Sequence, residues 1–203
     1  IDHYIVENEK SARRFIKKLS PRKSQPRLQI SILNKYTEVE EIPLLLRPCL
    51  EGNDIGILSE AGCPGIADPG AEVVKIAHEK GIAVYPLVGP SSIILALMAS
   101  GMNGQSFAFN GYLPIDSSER KSAIKHFEKL SKTSGQSQIF IETPYRNDKL
   151  FGELVKTLRY QTNLCVACDI TLPTQYIVSN TISDWKKTPL DLHKRPAIFI
   201  IQA

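Results

Sequence analysis

The feature that most constrains the fold is a repeated order of strand, tight turn and helix between residues 54 and 101. Apolar runs at 54–58 and 82–87 predict two strands, and a turn rich in Gly and Pro follows each of them. Helical patterns then extend to Lys80 and over 93–100, and each ends at a glycine. Strands that alternate with helices at this spacing form parallel sheets. The sequence therefore predicts an α/β fold.

The pattern restarts after a loop at 102–106, which predicts a second lobe. The expected domains are residues 1–105 and residues 106–203. Two of the strands expected in the second lobe alternate or carry β-branched residues, so its sheet is predicted to be mixed. The helices expected there are 119–131 and 146–158, and the strands are 138–142, 164–170, 175–179 and 197–202.

A helix is also predicted at 9–19, with Asn8 as its N-cap. Its apolar residues recur at helical spacing and are expected to face the core; they are Ala12, Phe15, Ile16 and Leu19. Basic residues occupy the opposite face and continue into the loop that follows the helix. We interpret this basic surface as solvated, or as part of a contact with a polyanion.

Composition excludes several classes of protein. No apolar run approaches the ~20 residues that a membrane span needs, so no membrane partner is expected. Four cysteines are too few for a disulfide scaffold and favour a cytoplasmic location. Cys165 and Cys168 lie in a predicted strand, where residues three apart point to opposite faces, so core packing is expected. The four histidines have no ligand spacing, and we assign no metal.

The two Gly-rich turns are the candidate binding features. In an open α/β sheet, ligands bind beyond the carboxyl ends of the strands, and Gly62, Gly65 and Gly89 allow close approach to the backbone there. Neither turn matches the common dinucleotide or phosphate-loop motifs. From the residues alone, a small anionic or zwitterionic ligand and a purely structural role both stay open. Asp68, which precedes a proline, is predicted to cap the following helix.

Four segments together resemble the tetrapyrrole methylase family of S-adenosylmethionine-dependent methyltransferases. Within that family they are most similar to the branch of ribosomal RNA small-subunit methyltransferases I, which methylate the ribose 2′-OH of a cytidine in the decoding region. The likeness covers nearly the whole chain. The segments are GILSEAGCPGIADPG, VYPLVGPSSIILALMASG, FAFNGYLP and IFIETPYR.

The resemblance implies a two-lobed fold with a mainly parallel N-terminal sheet, a mixed C-terminal sheet and a cofactor cleft between the lobes. It also implies a homodimer that binds S-adenosylmethionine and acts on ribosomal RNA or the small ribosomal subunit. The residues that match the family's cofactor contacts are Glu60, Gly62, Cys63, Pro64, Gly65, Ile66, Ser91, Ser92, Ile141 and Ala197.

Three differences from the family pattern stand out. The family begins with a short strand and a Pro/Gly-rich loop, and this chain, which starts at Ile1, is expected to lack that strand. Glu60 stands where the branch usually has Asp. Leu172 stands where the branch has Lys, which bears on recognition of the RNA.

A ribose hydroxyl is a poor nucleophile, so a nearby group that accepts its proton would assist methyl transfer. Glu142, at the end of a predicted strand, is the first candidate for this base, and Glu7 is the second. The alternative for Glu142 is a helix-capping or ion-paired carboxylate. Arg146 could bind a phosphate of the substrate, and Tyr112 could stack on a base.

The sequence therefore favours a methyltransferase that acts on ribosomal RNA. Two alternatives remain. The acceptor could be a tetrapyrrole or another small molecule, or the chain could be a noncatalytic member that binds RNA through its basic surface.

Overall fold

Two separate β-sheets organise the chain, one in a unit of residues 1–90 and one in a unit of residues 91–203. The computed structural model describes residues 1–203. It confirms the predicted α/β class, with a parallel sheet in the first unit and a mixed sheet in the second.

The sheet of the first unit has three parallel strands in the order β2-β1-β3. They are β1 (His3–Val6), β2 (Gln29–Ile32) and β3 (Ile55–Leu58). Sequence predicted β3 but not β1 or β2. All three strands have only four residues, and β3 was predictable because a turn rich in Gly and Pro follows it.

The first helix, α1 (Glu9–Leu19), has the predicted bounds. Its inward face is narrower than predicted, since only Ala12 and Ile16 are buried. Phe15 is 51% exposed and Leu19 is 65% exposed, so the expectation that both pack in the core was wrong.

The remaining helices of the first unit pack around the sheet. They are the 3₁₀ helices Gln25–Arg27 and Val39–Leu46, then α2 (Arg47–Leu50) and α3 (Ala71–Glu79). Their apolar side chains form one core with the sheet, chiefly Ile5, Leu33, Ile42, Leu46, Val73 and Ile76. Gly70 is the residue that precedes α3, without a side-chain cap, so the prediction that Asp68 caps this helix was wrong.

The strand predicted at 82–87 does not form. Ile82 still donates its backbone N–H to the carbonyl of Ala77 at 2.8 Å, but the N–H groups of residues 83–90 bond to no backbone acceptor. The side chains of Tyr85, Leu87 and Val88 are exposed. A strand is stabilised by hydrogen bonds to a neighbouring strand, and none pairs with this segment. The segment has the apolar pattern of a strand, but no neighbouring strand pairs with it.

The sheet of the second unit has five strands in the order β4-β5-β8-β6-β7. Only β4 and β5 are parallel, and the other neighbours are antiparallel. This confirms the predicted mixed sheet. The strands are β4 (Phe107–Tyr112), β5 (Ser137–Ile141), β6 (Asn163–Cys168), β7 (Tyr176–Thr181) and β8 (Ala197–Gln202).

Helices cover both faces of this sheet. On one face lies α4 (Ser92–Ser100), and on the other lie α5 (Ser117–Ser134), α6 (Asn147–Thr157) and α7 (Ile182–Trp185). Sequence placed α4 in the first lobe, but it packs on the second sheet. The predicted lobe boundary after residue 105 stays a prediction. No helix in the structure is both long and apolar enough to cross a membrane.

The strand β6 is buried on both of its faces. Leu164, Val166 and Cys168 pack on the side of α5 and α6, whereas Cys165 and Ala167 pack on the side of α4. Cys165 and Cys168 therefore point to opposite faces and serve as core residues, as the sequence predicted.

Candidate functional site

The Gly/Pro-rich loop between β3 and α3 has a backbone that ordinary residues rarely adopt. Gly62, Gly65 and Gly70 have positive φ angles of +74°, +77° and +136°. A Cβ atom on Gly70 would lie 3.3 Å from the backbone nitrogen of Gly65, so the loop folds back closely on itself. These conformations explain why glycine occupies these positions.

This loop leaves several main-chain donors unused. The N–H groups of Ala61, Gly62 and Cys63 donate no hydrogen bond within the protein, and Ala61 and Gly62 are exposed. In contrast, Gly65 and Ile66 use their N–H groups to close the loop internally. Consecutive free N–H groups favour an anionic oxygen. Gly62 and Cys63 are thus available for the ligand contact that the sequence predicted.

Two of the predicted site residues meet beside this loop. The backbone N–H of Glu60 donates to Oε1 of Glu7 at 2.8 Å, and the hydroxyl of Ser11 donates to the carboxylate of Glu60. Partial burial and the nearby charge of Glu7 raise the pKa of Asp68. These three carboxylates make the loop region acidic, which favours a cationic group of a ligand.

The second Gly-rich turn contacts the first one through Cys63. Its thiol lies 3.9 Å from the carbonyl oxygen of Gly89 and 3.6 Å from that of Pro90, within reach of a weak S–H hydrogen bond. The two turns are therefore neighbours at these residues, although the strand predicted before the second turn does not form.

In the second unit, strand direction brings several chain segments to one edge of the sheet. The carboxyl ends of β4, β5 and β6 and the amino end of β8 meet there. Tyr112 pairs with Ile141 across β4 and β5, and Cys168 pairs with Ala197 across β6 and β8. Residues distant in sequence thus become neighbours at this edge.

A cavity of about 270 Å³ opens at this edge. Its walls include three of the predicted cofactor contacts, Ser92, Ile141 and Ala197, and the candidate base Glu142. The remaining lining is mostly apolar. The volume lies just below the ~300 Å³ at which small-molecule pockets begin, so the cavity suits one flat heterocyclic group and its sugar.

Another wall of this cavity is the loop after β6, in which the sequence analysis singled out Leu172 but missed Asp169. Asp169 and Leu172 both line it, and Asp169 has a φ angle of +50°. Arg195 donates from Nε to Oδ2 of Asp169 at 2.8 Å, and the Thr174 hydroxyl donates to the same oxygen at 2.9 Å. A carboxylate directly after a strand of buried residues is the signal that could have identified this wall.

The Asp169 ion pair predicts a dependence of stability on pH. Burial raises the pKa of Asp169, but hydrogen bonds from Arg195 and Thr174 and the charge of Arg195 outweigh burial and hold it below its usual value of 3.8. The pair therefore stabilises the folded chain fully above pH 3.8, and that contribution is lost as pH falls through the lower folded pKa.

We expect Asp169→Asn to lower the free energy of unfolding by ~1 to 2 kcal/mol at neutral pH, because hydrogen bonds to a charged group are lost. Urea unfolding from neutral to acid pH should show a smaller loss of stability below pH 3.8 in this variant than in the wild type. The matched control is Glu119→Gln, which removes the charge of an exposed carboxylate. Equal pH profiles for Asp169→Asn and wild type would contradict the role of this pair.

The candidate base Glu142 is 8% exposed and is already paired. Its Oε1 accepts from the Thr143 N–H at 2.6 Å and from Nη2 and Nε of Arg146 at 2.6 and 3.0 Å. Its Oε2 accepts from no protein donor. Arg146 likewise keeps Nη1 free of protein acceptors. The ion-paired alternative for Glu142 is therefore present, and one oxygen stays available for a substrate proton.

Two other predicted residues lie at the same edge. Tyr112 ends β4 with its ring exposed, as stacking on a base requires. Ser91 is the N-cap of α4, but its hydroxyl makes no capping hydrogen bond. Both side chains are thus free for a ligand, and their roles stay predictions.

Comparison with protein families gives one match that covers most of the chain. The family model described as Tetrapyrrole (Corrin/Porphyrin) Methylases matches residues 4–186.

Curated relatives are about one third identical to this chain over the aligned residues. A Vibrio cholerae protein named Ribosomal RNA small subunit methyltransferase I is 34% identical over 139 residues, which are 68% of this chain and 47% of that protein. The Escherichia coli O157:H7 protein of the same name is 30% identical over 84% of this chain and 59% of its own length. The chain thus spans about half the length of the curated relatives that it matches.

Solved structures share the fold at low sequence identity. The methyltransferase CobJ superposes with a TM-score of 0.59 at 12% identity, over 98% of this chain and 93% of its own. The cobalamin biosynthetic enzyme cobalt precorrin-4 methyltransferase, CbiF, superposes with a TM-score of 0.58 at 15% identity, over 99% and 83%. At these identities the likeness supports the two-sheet α/β fold and nothing finer.

Proposed function

Because this chain belongs to the tetrapyrrole methylase family, we propose that it is an S-adenosylmethionine-dependent methyltransferase whose acceptor is small-subunit ribosomal RNA. The acceptor atom in this proposal is the 2′-oxygen of a cytidine ribose. The names of the curated relatives support the RNA acceptor. The family match supports the cofactor.

One observation carries the proposal. Ser92, Ile141 and Ala197 come from three separate segments of the chain, were predicted as cofactor contacts, and line one cavity together with Glu142. If these residues served only in turns and in packing, there would be no reason for all three to line one cavity. The apolar walls and limited volume suit adenine and its ribose.

Taken by itself, the loop between β3 and α3 of the first unit has groups that suit a ligand with both negative and positive charges. The free N–H groups of Gly62 and Cys63 suit a carboxylate. The acidic side chains of Glu7, Glu60 and Asp68 suit an ammonium or sulfonium. The other predicted contacts of this loop, Pro64, Gly65 and Ile66, are exposed and so accessible to a ligand.

When bound, the cofactor supplies a methyl group on a positively charged sulfur. The task of the protein is then to hold the acceptor hydroxyl and remove its proton. In our proposal, Oε2 of Glu142 accepts that proton, while Arg146 binds a neighbouring phosphate through Nη1. Tyr112 stacks on an adjacent base. Glu7 is the second candidate for the base.

The decisive experiment incubates the protein, in its full natural length, with methyl-labelled S-adenosylmethionine and small-subunit particles or their naked RNA. We expect label in the RNA at a linkage that resists alkaline hydrolysis, because that cleavage requires a free 2′-hydroxyl. Label at an alkali-sensitive position would place the methyl group on a base. Label only in an added tetrapyrrole would favour the small-molecule acceptor.

Calorimetry with S-adenosylmethionine separates the catalytic proposal from a noncatalytic one. We expect saturable binding with one site per chain. A protein that binds RNA but ignores this cofactor would be the noncatalytic alternative.

A homodimer and a cytoplasmic location complete the proposal. The family resemblance supports the dimer, and four free cysteines support a reducing compartment. Light scattering during gel filtration would test the first, since a monomer mass at micromolar concentration contradicts it. Cell fractionation would test the second.

A further inference from the structure

Positive charge is concentrated at the start of the chain. Residues 1–27 hold eight Lys or Arg and three Asp or Glu, a net charge of +5, whereas the whole chain carries +4. The remaining 176 residues are therefore slightly negative, at −1. Such an asymmetry, confined to one short region, indicates a partner with dense negative charge.

Four basic residues of α1 form a row without ion-pair partners. Lys10, Arg14, Lys17 and Lys18 are all exposed, and none of them takes part in an ion pair or a side-chain hydrogen bond. Their spacing of three and four residues places them on one face of the helix. Cations at this spacing repel one another by a few tenths of a kcal/mol per pair, so the row does not serve the stability of the free helix.

Arg13 is the exception, and it extends the basic surface. It pairs with Glu9 at 2.7 Å and also donates to the carbonyl oxygens of Gln25 at 2.7 Å and Leu28 at 3.4 Å. These bonds hold the segment 20–28 against α1. That segment carries further exposed cations, so helix and segment present a single basic surface.

An exposed aromatic ring borders this row. Phe15 lies three residues before Lys18 and one residue after Arg14, and half of its surface is open to solvent. A row of cations that follows the backbone, together with an aromatic ring for an unpaired base, is the composition of single-stranded RNA-binding surfaces.

We propose that α1 and the segment 20–28 form an RNA-binding surface. In it, Lys10, Arg14, Lys17 and Lys18 contact backbone phosphates, and Phe15 stacks on an unpaired base. This inference rests on the proposed function for the choice of RNA and deepens it by naming a surface away from the acceptor. A lipid surface fits less well, because Ala12 and Ile16 are already buried in packing, which leaves only Phe15 and Leu19 of α1 as apolar side chains that could enter a bilayer.

The test is the binding of the full chain to a labelled, unstructured RNA of about 20 nucleotides, without cofactor, as salt rises from about 50 to about 200 mM. The main variant changes Lys10, Arg14, Lys17 and Lys18 to Gln. Each lost phosphate contact lowers the slope of log affinity against log salt by about 0.7, so we expect a loss of about 2 to 3 in the slope. At about 100 mM salt the affinity should fall about a hundredfold.

The matched control is a second row of four exposed lysines on α5, Lys121, Lys125, Lys129 and Lys132, changed to Gln together. The change in net charge is the same. We expect the slope to stay within about 0.7 of the wild-type value, the effect of a single contact. An equal loss in both variants would show that only net charge matters and would overturn the proposal.

The aromatic contact has its own pair of variants. Phe15→Ala should weaken RNA binding about fivefold to a hundredfold without altering the salt slope, since a stacking interaction is lost and no charge is removed. Leu19→Ala removes an apolar side chain without a ring that is at least as exposed as Phe15, and it should change affinity less than about twofold. Equal effects of the two variants on RNA affinity would show that Phe15 does not stack on a base.

Two further readouts separate this inference from the proposed function. Calorimetry with S-adenosylmethionine should be unchanged in the α1 variant, because none of the four residues belongs to the cofactor loop. Wild type that binds RNA through α1 but transfers no methyl group would refute only the proposed function. Wild type that binds phosphatidylserine vesicles and not RNA would refute the surface proposed here.

Discussion

Replacing Gly65 by arginine is expected to abolish binding of S-adenosylmethionine while the protein stays folded. Gly65 is exposed in the loop after β3 and has a φ angle of +77°. An L-residue there is disfavoured by ~1 to 2 kcal/mol, which is small beside the roughly 5 to 15 kcal/mol that stabilise a typical domain. The arginine side chain would also cover the free N–H donors of the loop and bring positive charge to an acidic region.

We expect the cofactor affinity of Gly65→Arg to fall by more than about a hundredfold, or ~2.7 kcal/mol, in calorimetry. The matched control is Gly52→Arg. Gly52 has a φ angle of +85° in a turn where a Cβ atom would have no neighbour within 4 Å, so the backbone strain is the same but the site is elsewhere. Both variants should lose similar thermal stability, and only Gly65→Arg should lose binding. Wild-type affinity in Gly65→Arg would place the cofactor away from this loop.

Replacing Glu142 by glutamine is expected to slow methyl transfer about a hundredfold with little change in cofactor affinity, since a positioned base contributes at least about that factor. Glutamine keeps an oxygen that can accept from the Thr143 N–H and from Arg146, so the local geometry is retained. What is lost is the carboxylate oxygen Oε2, which has no protein donor. The loss should therefore fall on kcat and not on KM.

Two variants make this experiment decisive. Glu51→Gln changes another carboxylate that pairs with an arginine four residues away, Arg47, but lies outside the cavity, and its kcat should match that of wild type. Glu7→Gln tests the second candidate for the base. An unchanged kcat in Glu142→Gln together with a large loss in Glu7→Gln would transfer the role of base to Glu7.

Elements with local stop and start signals could be predicted from the sequence. Asn8 accepts from the Ser11 N–H and starts α1 where expected, and Gly101 ends α4 with a left-handed φ of +70°. Such signals depend on a few adjacent residues. The segment 82–87 shows the opposite case. Its residues have the apolar pattern of a strand, but a strand forms only when another strand, distant in sequence, pairs with it.

The candidate site likewise has residues that the sequence identified and residues that it did not. The residues Ser92, Ile141 and Ala197 came from resemblance to the family, and only the strand order shows that they share a cavity. Asp169 was missed because its position depends on a loop with left-handed residues and on the bond to Arg195. No local periodicity encodes such a long-range contact.

The burial of β6 gives this protein an internal reporter of its own unfolding. Cys165 and Cys168 are inaccessible to an alkylating reagent in the native state, and burial further raises the pKa of Cys168 to about 11, which suppresses the reactive thiolate. Cys49 and Cys63 are only half-buried. Cys49 and Cys63 should therefore be labelled first by a maleimide, and the other two thiols only as the second sheet opens.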